Sequence, residues 1–227
     1  MNRAEIKEAA KEKIRGNKWN IIWPIIVIGV VTGFITMFFD PIKVEVSSNS
    51  IQTWDDIVRT YGNVNITTSS IVSIVVTVLT AVLAAGYMKY ILNFVRTGEF
   101  NSSDILNTVK EKWLAIIISS ILTTVIITLC TLLFVIPGII MSFAYTMVTF
   151  IVIDTDTSGS DSLRKSREMM KGYKMDYFIF QLSFIGWHIL AVFTLGILYI
   201  WLVPYITVAE TIYYDKLKEK SAKILKD

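Results

Sequence analysis

From Tyr177 to Ala209 the chain runs 33 residues without an Asp, Glu, Lys or Arg, and from Trp113 to Ile153 it runs 41. A helix needs about 20 apolar residues to cross a hydrocarbon core about 30 Å thick. At about 1.5 Å per residue, either run would overshoot that core as a single helix. Each therefore reads as two spans joined by a turn. The longer run is interrupted by Pro137-Gly138, a pair that breaks helices and turns tightly. The other offers Gly196 in "FTLGILY", which is similar to "FVIPGII" of the first. Trp19–Phe39, stopped by Asp40-Pro41, makes a further span. So does about Ser70–Leu92, where Lys89 can snorkel to the interface.

The expected fold is all-α: a polytopic membrane protein forming one membrane domain over residues 1–227. Six transmembrane helices, at about 19–39, 70–92, 113–135, 138–153, 176–194 and 197–213, form three hairpins, with an outer loop at 40–69. Charged residues make up 18% of the chain, against about 25% in soluble domains. The single cysteine, Cys130, cannot form an internal disulfide. The first 18 residues mix six basic with three acidic side chains, and the run that follows ends in "TMFFDP". No small-residue cleavage pattern is present, so the first span is expected to remain in the mature protein.

Charge sets the orientation. With the amino terminus inside, residues 1–18, 89–112, 154–176 and 210–227 lie in or near the cytoplasm and hold 20 of the 22 Lys and Arg residues. Only Lys43 and Arg59 lie outside. This asymmetry follows the positive-inside rule, and five spans would instead export the lysines of "DKLKEKSAKILKD". Both termini are expected in the cytoplasm.

"AKEKIRGNKWNII" (10–22) aligns with "SREMMKGYKMDYF" (166–178), Gly16 matching Gly172 and Lys18 matching Lys174. "LNTVKEKWLAII" (106–117) repeats the basic lead and the tryptophan without the glycine. The expectation is three copies of one unit, a short amphipathic cytoplasmic helix feeding a hairpin. In the first copy Ile6, Ala10 and Ile14 make an apolar stripe, and Gly16-Asn17 a helix stop. Such a helix can lie in the anionic inner leaflet or simply orient the first span.

The stretches "GNKWNII", "SLRKSREMMKGYKMDYFIFQLSFIGWHIL" and "FTLGILYIWLVPYITVAETIYYDKL" resemble the bacterial integral membrane proteins called domain of unknown function 975. The resemblance covers the amino-terminal segment and nearly everything after Leu106, and none of it lies in the outer loop. It implies a multi-pass protein of the bacterial cell membrane, typical of Gram-positive lineages. It brings no reaction, substrate or catalytic residue.

The residues themselves offer few sites. His188 is the only histidine, so no histidine cluster can hold a metal, and no serine elbow, HExxH or Walker pattern is present. "TDTSGSDS" (155–162) reads as a turn and helix cap. His188, Gln181, Thr124 and Thr128 form the candidate intramembrane polar site. Each of them also has a packing role open to it, as interhelical hydrogen-bonding glue. Lys89 and Glu210, near the inner ends of their spans, form a candidate ion pair. Gly29-x-x-x-Gly33 suggests a close helix crossing within the chain or between copies.

The expected function is non-enzymatic, with no cofactor: interaction and assembly in the membrane, including tolerance of membrane-active peptides. Expected partners are the lipid bilayer, through its anionic inner leaflet, and other membrane proteins or a second copy; nucleic acid is not among them. A small transporter with a pathway between the hairpins is the alternative, and a lipid-directed enzyme is more distant.

Overall fold

The computed structural model describes residues 2–39 and 66–224, and almost all of the expected outer loop 40–69 lies outside them. The described residues form helices and no strands. Among the described residues ten helices follow in order: α1 Arg3–Ile14, α2 Lys18–Phe39, α3 Ile66–Thr97, α4 Ser103–Leu133, α5 Val135–Ala144, α6 Val148–Asp154, α7 Gly159–Met169, α8 Lys174–Leu182, α9 Ile185–Phe193 and α10 Tyr199–Ile224. Two compact units are formed, one by Met1–Ile26 with Ala81–Asp227 and the other by Val27–Thr80. Among the described residues, five stretches are long and apolar enough to cross a membrane: Lys18–Thr36, Ser73–Thr97, Ser103–Leu133, Val135–Asp154 and Lys174–Phe193. In α10 the apolar half continues into "DKLKEK", which dilutes its hydropathy.

In the second unit, α2 carries Thr32 and Thr36, whose hydroxyls donate back to Ile28 and Thr32 carbonyls. An added Cβ at Gly29 or Gly33 meets nothing within 4 Å. Within this unit, the close crossing expected at these glycines is therefore not made by the described residues.

In the first unit, helices pair antiparallel. Tyr90 donates to the Asn20 carbonyl at 2.7 Å and Tyr87 to the Ile21 carbonyl at 3.1 Å. The cause lies in α2, where Pro24 has no N–H to give to the carbonyl four residues back. Tyr90 supplies that missing donor to Asn20.

The turn between α4 and α5 is at Phe134, in extended conformation, three residues before Pro137. This corrects the expected Pro-Gly turn. Pro137 instead occupies the first turn of α5, where its missing N–H costs nothing. Gly138 lets α5 touch α4, since a Cβ there would fall 2.1 Å from Thr131 Oγ1. The second expected turn is where the sequence puts it. Leu195 and Gly196 have φ of 51° and 85°, and the Gly196 N–H bonds the Ala191 carbonyl at 2.9 Å, as in a glycine helix cap.

Three departures from the expected hairpins have local causes. The lead-in before the third span is not a separate helix, because α4 runs unbroken from Ser103 and lacks the glycine found at Gly16 and Gly172. Those two glycines share a left-handed φ, 91° and 83°. The fifth span breaks between α8 and α9, and the Ser183 carbonyl there accepts from Lys7 Nζ at 2.8 Å. Third, the Ile6, Ala10 and Ile14 stripe of α1 is buried within the protein. Lys13 adds a bond to the Val95 carbonyl in the last turn of α3, one of the acceptors a helix end leaves over. α1 is thus docked on protein, and its apolar stripe is not turned to lipid.

Candidate functional site

The end of the first unit where α3, α6 and α10 finish their apolar stretches carries a knot of charges. Arg96, in the last turn of α3, binds Asp154, the last residue of α6, through both guanidinium Nη atoms, Nη2 to Oδ2 at 3.1 Å. The same guanidinium reaches Asp215 on α10 at 2.6 Å. Lys218, a turn further along α10, also binds Asp154. Tyr214 stacks on Phe150 with ring centroids 5.0 Å apart and donates its hydroxyl to Asp154 at 2.9 Å. Asp154 has only 5% of its side chain exposed. A carboxylate buried that deeply needs this number of donors.

A second group forms where α8 faces α10. Glu210 Oε1 accepts from Tyr177 Oη at 3.0 Å and from Gln181 Nε2. Tyr213 packs edge-on to Tyr177 and donates to Asp176 at 3.4 Å, and Arg3 lies 3.8 Å from the same carboxylate. Further along the pair, Phe184 meets Tyr205, and His188 Nδ1 lies 3.4 Å from Tyr199 Oη. Partner numbers fall on α10 as they rise on α8 and α9, which is the register of an antiparallel hairpin.

The predicted residues are thus partly brought together. Gln181 and Glu210 meet, although they were expected in different sets. His188 is two turns away with Tyr199. Thr124 and Thr128 are exposed on α4 and bond neither His188 nor Gln181. The expected Lys89–Glu210 pair is not formed. The contact of α3 with α10 is made by Arg96 and Asp215, and five residues along a helix turns Glu210 about 140° from Asp215, toward α8. Lys89 lies instead in the field of Asp156. Lys112 beside Asp156 holds that carboxyl below the usual range, with Lys89 adding to it. On α1, burial and then Lys11 push Lys7 below the usual lysine range. Among the described residues no group of three His, Cys, Asp or Glu side chains could hold a metal ion.

Arg96, Asp154 and Asp215 were missed by sequence reasoning. A signal was present for Asp154, the first charge after the 41-residue run, whereas Arg96 and Asp215 come after Lys89 and Glu210 and did not stand out.

Beside the knot lies a cavity of about 480 Å³ between α6, α7, the loop after α7 and α10. Its floor includes Ile151, Met169 and Tyr214, and three lysines stand around it.

The model of the family described as "Protein of unknown function (DUF975)" matches residues 116–221. Over those residues the chain is similar to the DUF975 family. The DUF975 match includes Asp154, Gln181, His188, Glu210 and Asp215, whereas Arg96 and the resembling segment "GNKWNII" precede it. No curated protein and no solved structure matches the chain.

Proposed function

We infer that this chain is a six-span protein of the bacterial cytoplasmic membrane with both termini inside. It works without catalysis, by associating with other membrane components, and tolerance of membrane-active peptides is one outcome of that association. The observation that carries this reading is the Arg96–Asp154–Asp215 knot. It ties the ends of the second, fourth and sixth spans, which six spans would bring to one face. The basic residues favour the inner face for that end. Within the spans, Gln181 and Glu210 are committed to each other and His188 to Tyr199, which suits a packed scaffold better than a pathway.

Brief crosslinking at native abundance, mild-detergent capture and mass spectrometry test this. A stoichiometric membrane partner supports association, and a chain that comes out alone across growth conditions overturns it. A small transporter is the second reading, favoured by one observation: Glu210 is a carboxyl group within a span with no cation bonded to it among the described residues. Liposome uptake that falls on Glu210→Gln or His188→Ala would select it.

A further inference from the structure

The cavity beside the charge knot is built for an amphiphile. Lys165 comes from α7, Lys171 from the loop after it and Lys218 from α10, so three elements each contribute a lysine to the lining. Glu168 adds the one carboxylate of the lining, which leaves it net positive. Lys218 is engaged by Asp154 and Lys165 by Thr157 Oγ1 at 2.9 Å, whereas Lys171 is exposed and its ammonium has no bond among the described residues. Below these heads the lining is mostly apolar, from Ile151, Met169, Tyr173 and Tyr214. A simple inorganic anion gains nothing from such a floor. A ligand with a charged head and an apolar body uses both parts, and the volume lies within the range of about 300–1,000 Å³ for small-molecule sites.

Position selects among amphiphiles. Ile151 and Thr155 bracket the point where the apolar stretch Val135–Asp154 gives way to polar residues, the level at which lipid headgroups lie beside a span. Basic pockets at this level, on the inner side, bind acidic headgroups. We propose that this cavity holds an acidic phospholipid of the inner leaflet, its phosphate between Lys165 and Lys171 and its glycerol and upper chain against Tyr173, Tyr214 and Ile151. The site rests on the inner placement of this end given above. It adds to it a lipid recognised individually, joining α6, α7 and α10 where the knot already ties α6 to α10.

The test uses the full chain in nanodiscs of phosphatidylcholine and phosphatidylglycerol, released and weighed by native mass spectrometry. Wild type is expected to retain phosphatidylglycerol, and Lys165→Gln/Lys171→Gln to retain about ten-fold less. Lys110→Gln/Arg164→Gln removes the same charge away from the cavity, Arg164 being on another face of α7, and is expected to behave as wild type. Equal retention in the cavity variant, or equal loss in the control, overturns the site. Stabilisation by inorganic phosphate as large as that by the lipid, and lost in the cavity variant, overturns the lipid in favour of a soluble anion. If the double variant fails to fold, Lys171→Gln alone gives the same readout, since its ammonium holds no other bond. Labelling of Lys171→Cys by an impermeant maleimide in intact cells separates the premises. Labelling sinks the orientation, whereas protection with unchanged lipid retention sinks the site.

Discussion

Arg96 and Asp154 stand 58 residues apart and form a two-pronged ion pair, with Asp215 on the other flank of the same guanidinium. The two carboxylates are not equivalent, since Asp154 is 5% exposed and Asp215 is 25% exposed. Removing one partner of a buried pair leaves an uncompensated charge and costs about 3–5 kcal/mol, whereas exposed pairs are worth about 0–1 kcal/mol. Asp154→Asn, which strands Lys218 and half of Arg96, is expected to cost about 3 kcal/mol. Asp215→Asn is expected to cost about 1 kcal/mol, at the upper end for an exposed pair. Unfolding titrations of the two variants in mixed micelles check the order, and equal losses would refute the ranking.

Acid is expected to loosen α1. Lys216 hydrogen-bonds Glu5 at 2.8 Å and holds its carboxyl below the ordinary value of 4.5, by the bond first and the charge second. A carboxyl whose folded pKa is depressed adds stability above its unfolded value, and that stability is lost as pH falls through the folded value. Amide exchange of residues 3–14 should therefore rise below the ordinary carboxylate range. In Glu5→Gln it should be faster at neutral pH and lack this acid step. An acid step that survives the substitution would assign it to another group.

What could be read in advance follows from range along the chain. Apolar run lengths marked the helices, the spacing of Ile6, Ala10 and Ile14 marked a stripe though not that protein covers it, and "TLG" marked the Gly196 turn, because each depends on neighbours within a turn or two. The turn at Phe134 was displaced from Pro137-Gly138 because proline is tolerated in a first helical turn and Gly138 was needed for contact with Thr131. The Lys89–Glu210 pair failed for a different reason. Both residues were expected near the inner ends of their spans, but which face of α10 meets α3 is set by packing across more than a hundred residues. Gln181 and Glu210 were each visible as unusual polar residues in apolar runs. Their meeting needed the antiparallel register of α8 and α9 against α10, which Gly196 alone does not fix.

Gly138 should tolerate no larger residue. A Cβ would lie 2.1 Å from Thr131 Oγ1 and 2.8 Å from Thr131 Cα, so Gly138→Ala must push α5 off α4. Overpacking of this kind costs about 1–3 kcal/mol. Trimming the neighbour in Gly138→Ala/Thr131→Ala removes the hydroxyl but not the backbone, so it is expected to restore only part of the loss. Full recovery in the same micelle titration would show that the side chain alone sets the spacing.

The link between Pro24 and Tyr90 gives a sharper test, because one residue creates the need that the other meets. Tyr90→Phe leaves the Asn20 carbonyl without the hydroxyl it accepts from at 2.7 Å. The bond is part-buried, and losing one net hydrogen bond of this kind costs about 0.5–1.5 kcal/mol. Pro24→Ala restores an N–H four residues on from Asn20, which can close the helical bond in place of the tyrosine. In that background Tyr90→Phe is expected to cost less by about 1 kcal/mol, a coupling within reach of a double-mutant cycle. The cycle separates this role from the packing of the Tyr90 ring against Phe100, which both backgrounds retain. Equal costs in the two backgrounds would mean that the hydroxyl serves something other than the carbonyl freed by Pro24.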